Sequence, residues 1–276
     1  MIWAMPMLIW QIAFFVFPLL FMVVITFWTV ENFQMKADLT LENWVRILTA
    51  KYFWSAYIKT IGYAALAAVI ASVIAFPCAY ALAFHVNVAT RWSAILLLIV
   101  PFFTSYLVRI YSWKVVLTKN GMINKALGYI GIGPFDMVNN VTGTMVGYLT
   151  LVLPLVALLQ LMSLSYVDRN LVGAAHNLRC GPLRTVFLVV IPSAKVGLTL
   201  AVTFAFILVF GDYMSPSLLG ASKPATMSIL IVDTIKSGAN WPEAATVALI
   251  MIATLMVAAF GALTFAYGLP SKGRRS

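Results

Sequence analysis

The chain has 276 residues, 63% of them hydrophobic and only 9% charged, whereas a soluble domain carries about 25% charged residues. With a mean hydropathy of +0.98, that much apolar side chain has no place in a water-soluble fold, which argues against a soluble enzyme or adaptor. The formal charge of +10 sits on 18 Lys and Arg scattered singly, with no basic helix or aromatic-interleaved patch, so it does not point to nucleic acid.

A membrane span needs roughly 20 predominantly apolar residues. Six runs approach or exceed that length: Leu8–Thr29, Ile61–Phe84, Trp92–Val108, Val141–Leu164, Val196–Leu219 and Trp241–Tyr267. None shows the dyad alternation of a membrane strand. The fold class expected is therefore an all-α integral membrane protein with about six transmembrane helices, forming one domain over residues 1–276.

The first run, in "MIWAMPMLIWQIAFFVF", has neither a cationic leader nor a small-residue cleavage site, so it is expected to stay as a span. Pro18, Pro77, Pro101 and Pro154 fall inside four of the runs, where each removes a backbone donor and favours a kink or a hinge. The second run, "GYAALAAVIASVIAF", repeats small residues at helical spacing and reads as a packing helix. Between runs, "WVRILTAKYFWSAYIKT" and "NGMINKALGYIGIGPFDM" mix aromatics, Lys and helical spacing, as short helices lying at a membrane interface do.

Charge sets the expected orientation. The tail carries Lys272, Arg274 and Arg275, and one set of loops holds Arg91, Arg169, Arg179, Arg184 and Lys195 against the single acid Asp168. By the positive-inside rule both termini are then cytoplasmic. The opposite side, Lys223 among its ten cations, is offset by seven acids including Asp212 and Glu243, although the segment after the third run opposes the trend.

Chemistry-bearing residues are sparse. His85 and His176 lie far apart without a carboxylate at ligand spacing, Cys78 and Cys180 form no CxxC, no phosphate-cradling GxxxxGK[ST] occurs, and Ser163 and Ser193 have no base nearby. No catalytic residue, metal site or cofactor site is expected in this chain. A transport role follows, either as one subunit of a larger assembly or as a self-sufficient secondary transporter or channel. The latter usually shows internal repeats or several embedded ionisable residues, and here Asp212 is the one acid near a run's interior. Asp212, with Tyr106, Arg109 and Tyr213, is the candidate lining or gate of a pathway. The alternative is a structural pairing of Asp212 with Arg109 or Lys114.

The loop between the fourth and fifth runs, about 165–192, is longer than a connector needs. "AAHNL", then Gly181-Pro182, reads as helix, turn and a second helix with Pro in its first position.

At this loop the chain resembles the permease subunits of bacterial binding-protein-dependent ABC importers. Their cytoplasmic signature begins Glu-Ala-Ala, has a Gly a few residues on, and ends in an apolar residue and Pro. Ala174 and Ala175 match the alanines, Leu178 and Pro182 match intermediate positions, and Ile191-Pro192 matches the end. Gly173 stands at the glutamate position and Arg179 at the glycine position, with Gly181 displaced by two. Gly181 is accordingly expected to supply the left-handed cap of the first helix. The resemblance runs from Pro101 to the C-terminus and favours the polyamine-type branch, carried by "PFFTSYLVRIYSW", "NGMIN", "GDYMSPSLLG" and "NWPEAA" in that order.

The resemblance implies a type I importer permease fold in a bacterial inner membrane. It implies a second permease subunit, an ABC ATPase dimer that binds the ATP and Mg, and an external substrate-binding protein as partners, besides the lipid bilayer. Gly173, Ala174, Ala175, His176, Asn177, Leu178, Arg179, Gly181, Pro182 and Arg184 become the ATPase-coupling residues, with the two alanines kept small to enter an ATPase cleft. The implied solute is putrescine, spermidine or a related small amine-bearing molecule such as an opine.

Overall fold

The computed structural model describes residues 5–221 and 225–268. Lys223 and the tail cations Lys272, Arg274 and Arg275, on which the orientation partly rests, lie outside the described residues. The chain divides into two compact units, Met1–Lys59 with Ala225–Leu255, and Thr60–Pro224 with Met256–Ser276.

The first unit opens with α1 (Met5–Gln11) and α2 (Phe17–Ile25), joined by one π-helical turn, Ile12–Val16. Pro18 explains the turn. It has no N–H, and the Phe17 N–H reaches back five residues to the Ile12 carbonyl, so the helix widens instead of breaking. A short hairpin not expected from the sequence follows, β1 (Thr29–Glu31) and β2 (Gln34–Lys36). α3 (Glu42–Thr49) is then tied to the end of α2, because the Asn43 amide donates to the carbonyls of Thr26 (2.9 Å) and Trp28 (2.8 Å).

The remainder of "WVRILTAKYFWSAYIKT" is no separate interfacial helix. It forms the first turns of α4 (Lys51–Phe84), which runs 34 residues through Pro77, about 50 Å at 1.5 Å per residue. From Thr60 onward α4 belongs to the second unit, where Ala64, Ala67, Ala68, Ala71, Ala75, Ala79 and Ala83 form one buried stripe, the close-approach face expected of a packing helix. Its last carbonyls are capped by guanidinium groups: Arg91 donates to Leu82 (2.9 Å) and Ala83 (2.6 Å), and Arg169 to Ala83 (3.1 Å). Both cations also complement the negative end of the helix dipole.

The third run is divided. α5 (Val88–Phe103) ends two residues after Pro101, and after Thr104-Ser105 the chain turns by 91° into α6 (Tyr106–Leu117) and α7 (Met122–Tyr129). α8 (Val141–Ser165) is unbroken despite Pro154. α9 (Arg169–Asn177), α10 (Pro182–Thr185), a second π turn and α11 (Ile191–Ser193) make up the long loop. The π turn precedes Pro192 as the first precedes Pro18, with the Ile191 N–H on the Val186 carbonyl. A bend of 79° leads into α12 (Lys195–Gly211), followed by the short α13 (Met214–Leu218). The fifth run therefore stops at Gly211, not at Leu219.

Ala79 and Ala83 of α4 pack with Leu161, Leu164, Val167, Val190 and Ala194 in one core cluster of this unit. At Gly197 a Cβ would lie 2.3 Å from Ser163 Oγ, so only glycine admits the close crossing of α12 on α8.

The first unit resumes with α14 (Met227–Gly238) and the start of α15 (Trp241–Tyr267). "NWPE" is a reciprocal cap: the Glu243 N–H donates to Asn240 Oδ1 (3.2 Å), and Asn240 Nδ2 donates to Glu243 Oε2 (2.7 Å). Glu243 is thereby a second buried acid, also receiving the Tyr52 hydroxyl at 3.1 Å and facing Arg46 at 3.7 Å. Four unbroken helices among the described residues are long and apolar enough to span a membrane, and six when each bent pair counts once.

Candidate functional site

Two places in the second unit hold the candidate residues. The first is a polar cluster at the end of α12. Asp212 follows the last residue of α12 and precedes α13 by two, an Asx arrangement in which its carboxylate accepts the backbone N–H groups of Met214 (2.9 Å) and Ser215 (3.3 Å). The Ser215 hydroxyl donates to Asp212 Oδ2 at 2.5 Å, and the Tyr106 hydroxyl lies 2.7 Å from the same oxygen and 2.6 Å from Ser215 Oγ. Asp212 is only 9% exposed, and a buried carboxylate is costly unless its lone pairs are met. Here the protein's own donors meet them.

The pairing weighed for Asp212 with Arg109 or Lys114 is not what forms; Tyr106 and Ser215 take the carboxylate. Arg109 instead lies over the Tyr106 ring at 5.6 Å and donates to the Thr150 carbonyl at 3.3 Å, its Nε buried without a partner. Tyr106 thus links the cation on its face to the anion at its hydroxyl. Tyr213 is half-buried, and its hydroxyl has no hydrogen-bond partner among the described residues.

Ser215 was not legible as a site residue, although the Asp-x-x-Ser spacing of "DYMS" is a capping pattern. Gly147 on α8 is the reason Ser215 fits, since a Cβ there would lie 2.6 Å from the Ser215 Oγ. Below the cluster, Ile110, Leu117, Val138 and Leu219 form an apolar floor on which Tyr106 packs.

The second place is the loop. Asp168 caps α9 by accepting the Asn170 N–H at 2.9 Å, and the helix ends in a Schellman arrangement. Arg179 N–H bonds the His176 carbonyl (2.9 Å) and Cys180 N–H the Ala175 carbonyl (3.0 Å). The left-handed residue is Arg179, at φ 57°. The expectation that Gly181 takes that role is overturned: Gly181 is extended, at φ −66°, and begins α10 with Pro182 in its first turn. The cap closes at the position two residues after the last helical one, whatever residue stands there.

His176, Asn177, Leu178, Arg179, Gly181, Pro182 and Arg184 are all exposed, as are Gly173 and Ala174. Ala175 is turned inward and is 8% exposed. Both alanines nevertheless border one groove. Leu171, Ala174, Leu178, Arg179 and Arg184 help to line this shallow groove of about 490 Å³.

No family model matches the sequence. The spermidine/putrescine transport system permease protein PotB of Escherichia coli K12 is 26% identical over 253 residues, covering 90% of this chain and 91% of that one. The PotB of Haemophilus influenzae is 25% identical over 256 residues, covering 90% and 88%. The chain is a homologue of ABC transporter permeases. A further relative, the inner membrane ABC transporter permease protein YdcU of E. coli K12, is 25% identical over 209 residues, covering 70% of this permease homologue and 66% of YdcU.

The fold agrees. The permease homologue superimposes on a chain of a crystal structure of a bacterial ABC transporter that imports the acidic polysaccharide alginate, with a TM-score of 0.75, 13% identity, and 98% and 96% of the two chains covered. A structure of a bacterial alginate transporter with its alginate-bound periplasmic protein gives 0.74 at 13% identity, covering 99% and 96%. Such permeases are non-catalytic components of their transporters.

Proposed function

We propose that this chain is the permease subunit of an ATP-driven importer for a small amine-bearing solute, a polyamine such as putrescine or spermidine or a related opine. The observation that carries the reading is the similarity to PotB along nine-tenths of both chains. In this reading residues 1–276 act as one permease domain and the chain works beside a second permease subunit. An external binding protein delivers the solute, and an ABC ATPase dimer holds the ATP and Mg. The 165–192 loop is the coupling element, with Ala174, Leu178, Arg179 and Arg184 on the surface that meets the ATPase. Asp212, Tyr106 and Arg109 stand at the pathway. Both termini are cytoplasmic, which labelling of single cysteines from each side of the membrane checks.

Copurification and transport together test the proposal. The tagged chain, co-expressed with a second permease, an ABC ATPase and an external binding protein of the same source, is expected to retain the ATPase and to support uptake of labelled putrescine or spermidine when the binding protein is present. Recovery without an ATPase, with uptake that follows an ion gradient instead of ATP, would establish a secondary transporter.

A further inference from the structure

The hairpin Thr29–Glu31 and Gln34–Lys36 has two unlike faces. Its register pairs Thr29 with Lys36, Val30 with Met35 and Glu31 with Gln34. Side chains alternate along a strand, so Thr29, Glu31, Gln34 and Lys36 share one face; Lys36 and Glu31 form an exposed ion pair on it, whereas the Thr29 hydroxyl at its base is buried. Val30 and Met35 share the other. At the tip, Asn32 and Phe33 both have positive φ, 50° and 62°, the geometry of a type I′ turn. That turn suits Asn at its first central position and asks for Gly at its second. Phenylalanine there strains the backbone, yet its side chain is 76% exposed, so packing within the chain offsets little of the strain.

What surrounds the hairpin identifies the medium that receives it. The lipid-length segment Met7–Ile25 has no buried residue in its most apolar window. Its apolar flank reaches the hairpin through Phe21, whose ring meets Trp28 at 6.2 Å. Within the same unit, α3 is bonded to the end of α2, and Trp44 Nε1 donates to Thr26 Oγ1 at 3.3 Å. The ends of α4 and α15 join there through Tyr52 and Glu243, with Trp54 and Trp241 about half exposed. Trp28, Trp44, Trp54 and Trp241 thus gather where α2 ends and where α4 and α15 begin. Tryptophans collected at span ends mark the headgroup level of a bilayer.

We infer that the hairpin is a lipid-interface anchor, with the Phe33 tip and the Val30–Met35 face seated in the headgroup–acyl boundary and the Glu31–Lys36 face turned to water. The occupant is lipid, because the hairpin follows directly on the unburied apolar segment Met7–Ile25 and sits among the tryptophans at the span ends, while its charged pair lies on the face opposite Val30 and Met35. The strained Phe is then explained: a glycine would relax the turn but bring no apolar side chain to the boundary.

The test uses the full chain in nanodiscs of phosphatidylcholine and phosphatidylglycerol. An NBD fluorophore is placed by Phe33→Cys, and separately by Gln34→Cys, in a Cys78→Ser, Cys180→Ser background. The probe at 33 is expected to emit to the blue of the probe at 34 and to be quenched several-fold more by lipids bearing a shallow nitroxide. Water-like emission at 33, quenched by iodide and indifferent to the nitroxide, would overturn the inference. So would a probe at 33 that becomes shielded only when the external binding protein is added, which would make the hairpin a protein-docking tip. A second measurement uses NBD at Met35→Cys with and without Phe33→Gly. The glycine variant is expected to unfold no earlier on heating, while the nitroxide quenching at 35 falls. Undiminished quenching without Phe33 would show that the tip does not hold the hairpin in lipid.

Discussion

The cluster at Asp212 and the loop at 165–192 carry the same kinds of side chain, charged and hydrogen-bonding groups set among apolar ones, but they settle them in opposite ways. Asp212 is buried, and Tyr106, Ser215 and the backbone N–H of Met214 all close on its carboxylate. In the loop the Asp168 cap and the Schellman bonds close the backbone, Arg169 reaches the Ala83 carbonyl, and Ala175, Thr185 and Val190 turn inward. The side chains around its turn are left open: Leu178 is 83%, Leu183 74% and Phe187 65% exposed, beside the cations Arg179 and Arg184. Burial forces a polar group to find partners inside its own chain, because leaving it unmet costs about 1–3 kcal/mol or more. Exposed apolar and cationic groups side by side are under no such demand, and are what a partner surface uses. Changes that leave the cluster's donors unmet should therefore be read as loss of stability, and changes in the loop as loss of association.

The sharpest attempt to break this contrast is Asp212→Leu, which strands the Tyr106 and Ser215 hydroxyls and two backbone N–H groups in a buried site. A loss of about 3 kcal/mol or more is expected, seen as a lower thermal midpoint in detergent with poor recovery. Asp212→Asn keeps the shape and should lower transport more than stability, leaving the binding protein's affinity for its solute untouched; full transport by this variant would remove Asp212 from the pathway.

Gly147→Val comes next, because its side chain would occupy the position of Ser215 Oγ, and overpacking costs about 1–3 kcal/mol. Its midpoint should fall together with transport, and the Asp212 variants should add little to it, since the two act on one network. In the loop, Arg184→Glu should leave the midpoint unchanged but weaken ATPase capture by about 1 kcal/mol at low salt, roughly five-fold in Kd, with the difference shrinking as salt rises. A destabilised chain with normal capture would reverse the contrast.

The smallest effects sharpen it. Arg179→Gly relieves a non-glycine residue at positive φ and should stabilise the loop by about 1 kcal/mol, detectable as slower amide exchange at Cys180. Gly173→Glu should be tolerated or mildly stabilising, by up to about 1 kcal/mol, because a Cβ at Gly173 meets nothing within 4 Å and glycine weakens the helix it sits in; a lower thermal midpoint than the parent would contradict this.

The residue order by itself determined the membrane class, the positions of the apolar runs and the helix–turn–helix plan of the loop. Each of these depends on local composition or period, such as the absence of charge over some 20 residues or Pro182 at a helix start. The Ala stripe of α4 was legible for the same reason, since a helix brings residues three and four apart onto one face whatever it packs against.

What only the tertiary structure decided depends on neighbours distant in sequence. Asp212 could be paired in prospect with Arg109, Lys114 or nothing; that Tyr106 reaches it from 106 positions away depends on the break at Thr104-Ser105 and the turn of α6. Glu243 was one of seven acids on the outer side by sequence, and became a buried acid only because Tyr52 closes on it from 191 positions away. The left-handed residue went to Arg179 rather than to the nearby glycine because hydrogen bonding at the helix end selects a position, and the preference of glycine for positive φ, worth about 1 kcal/mol, is smaller than the cost of leaving those last carbonyls unmet.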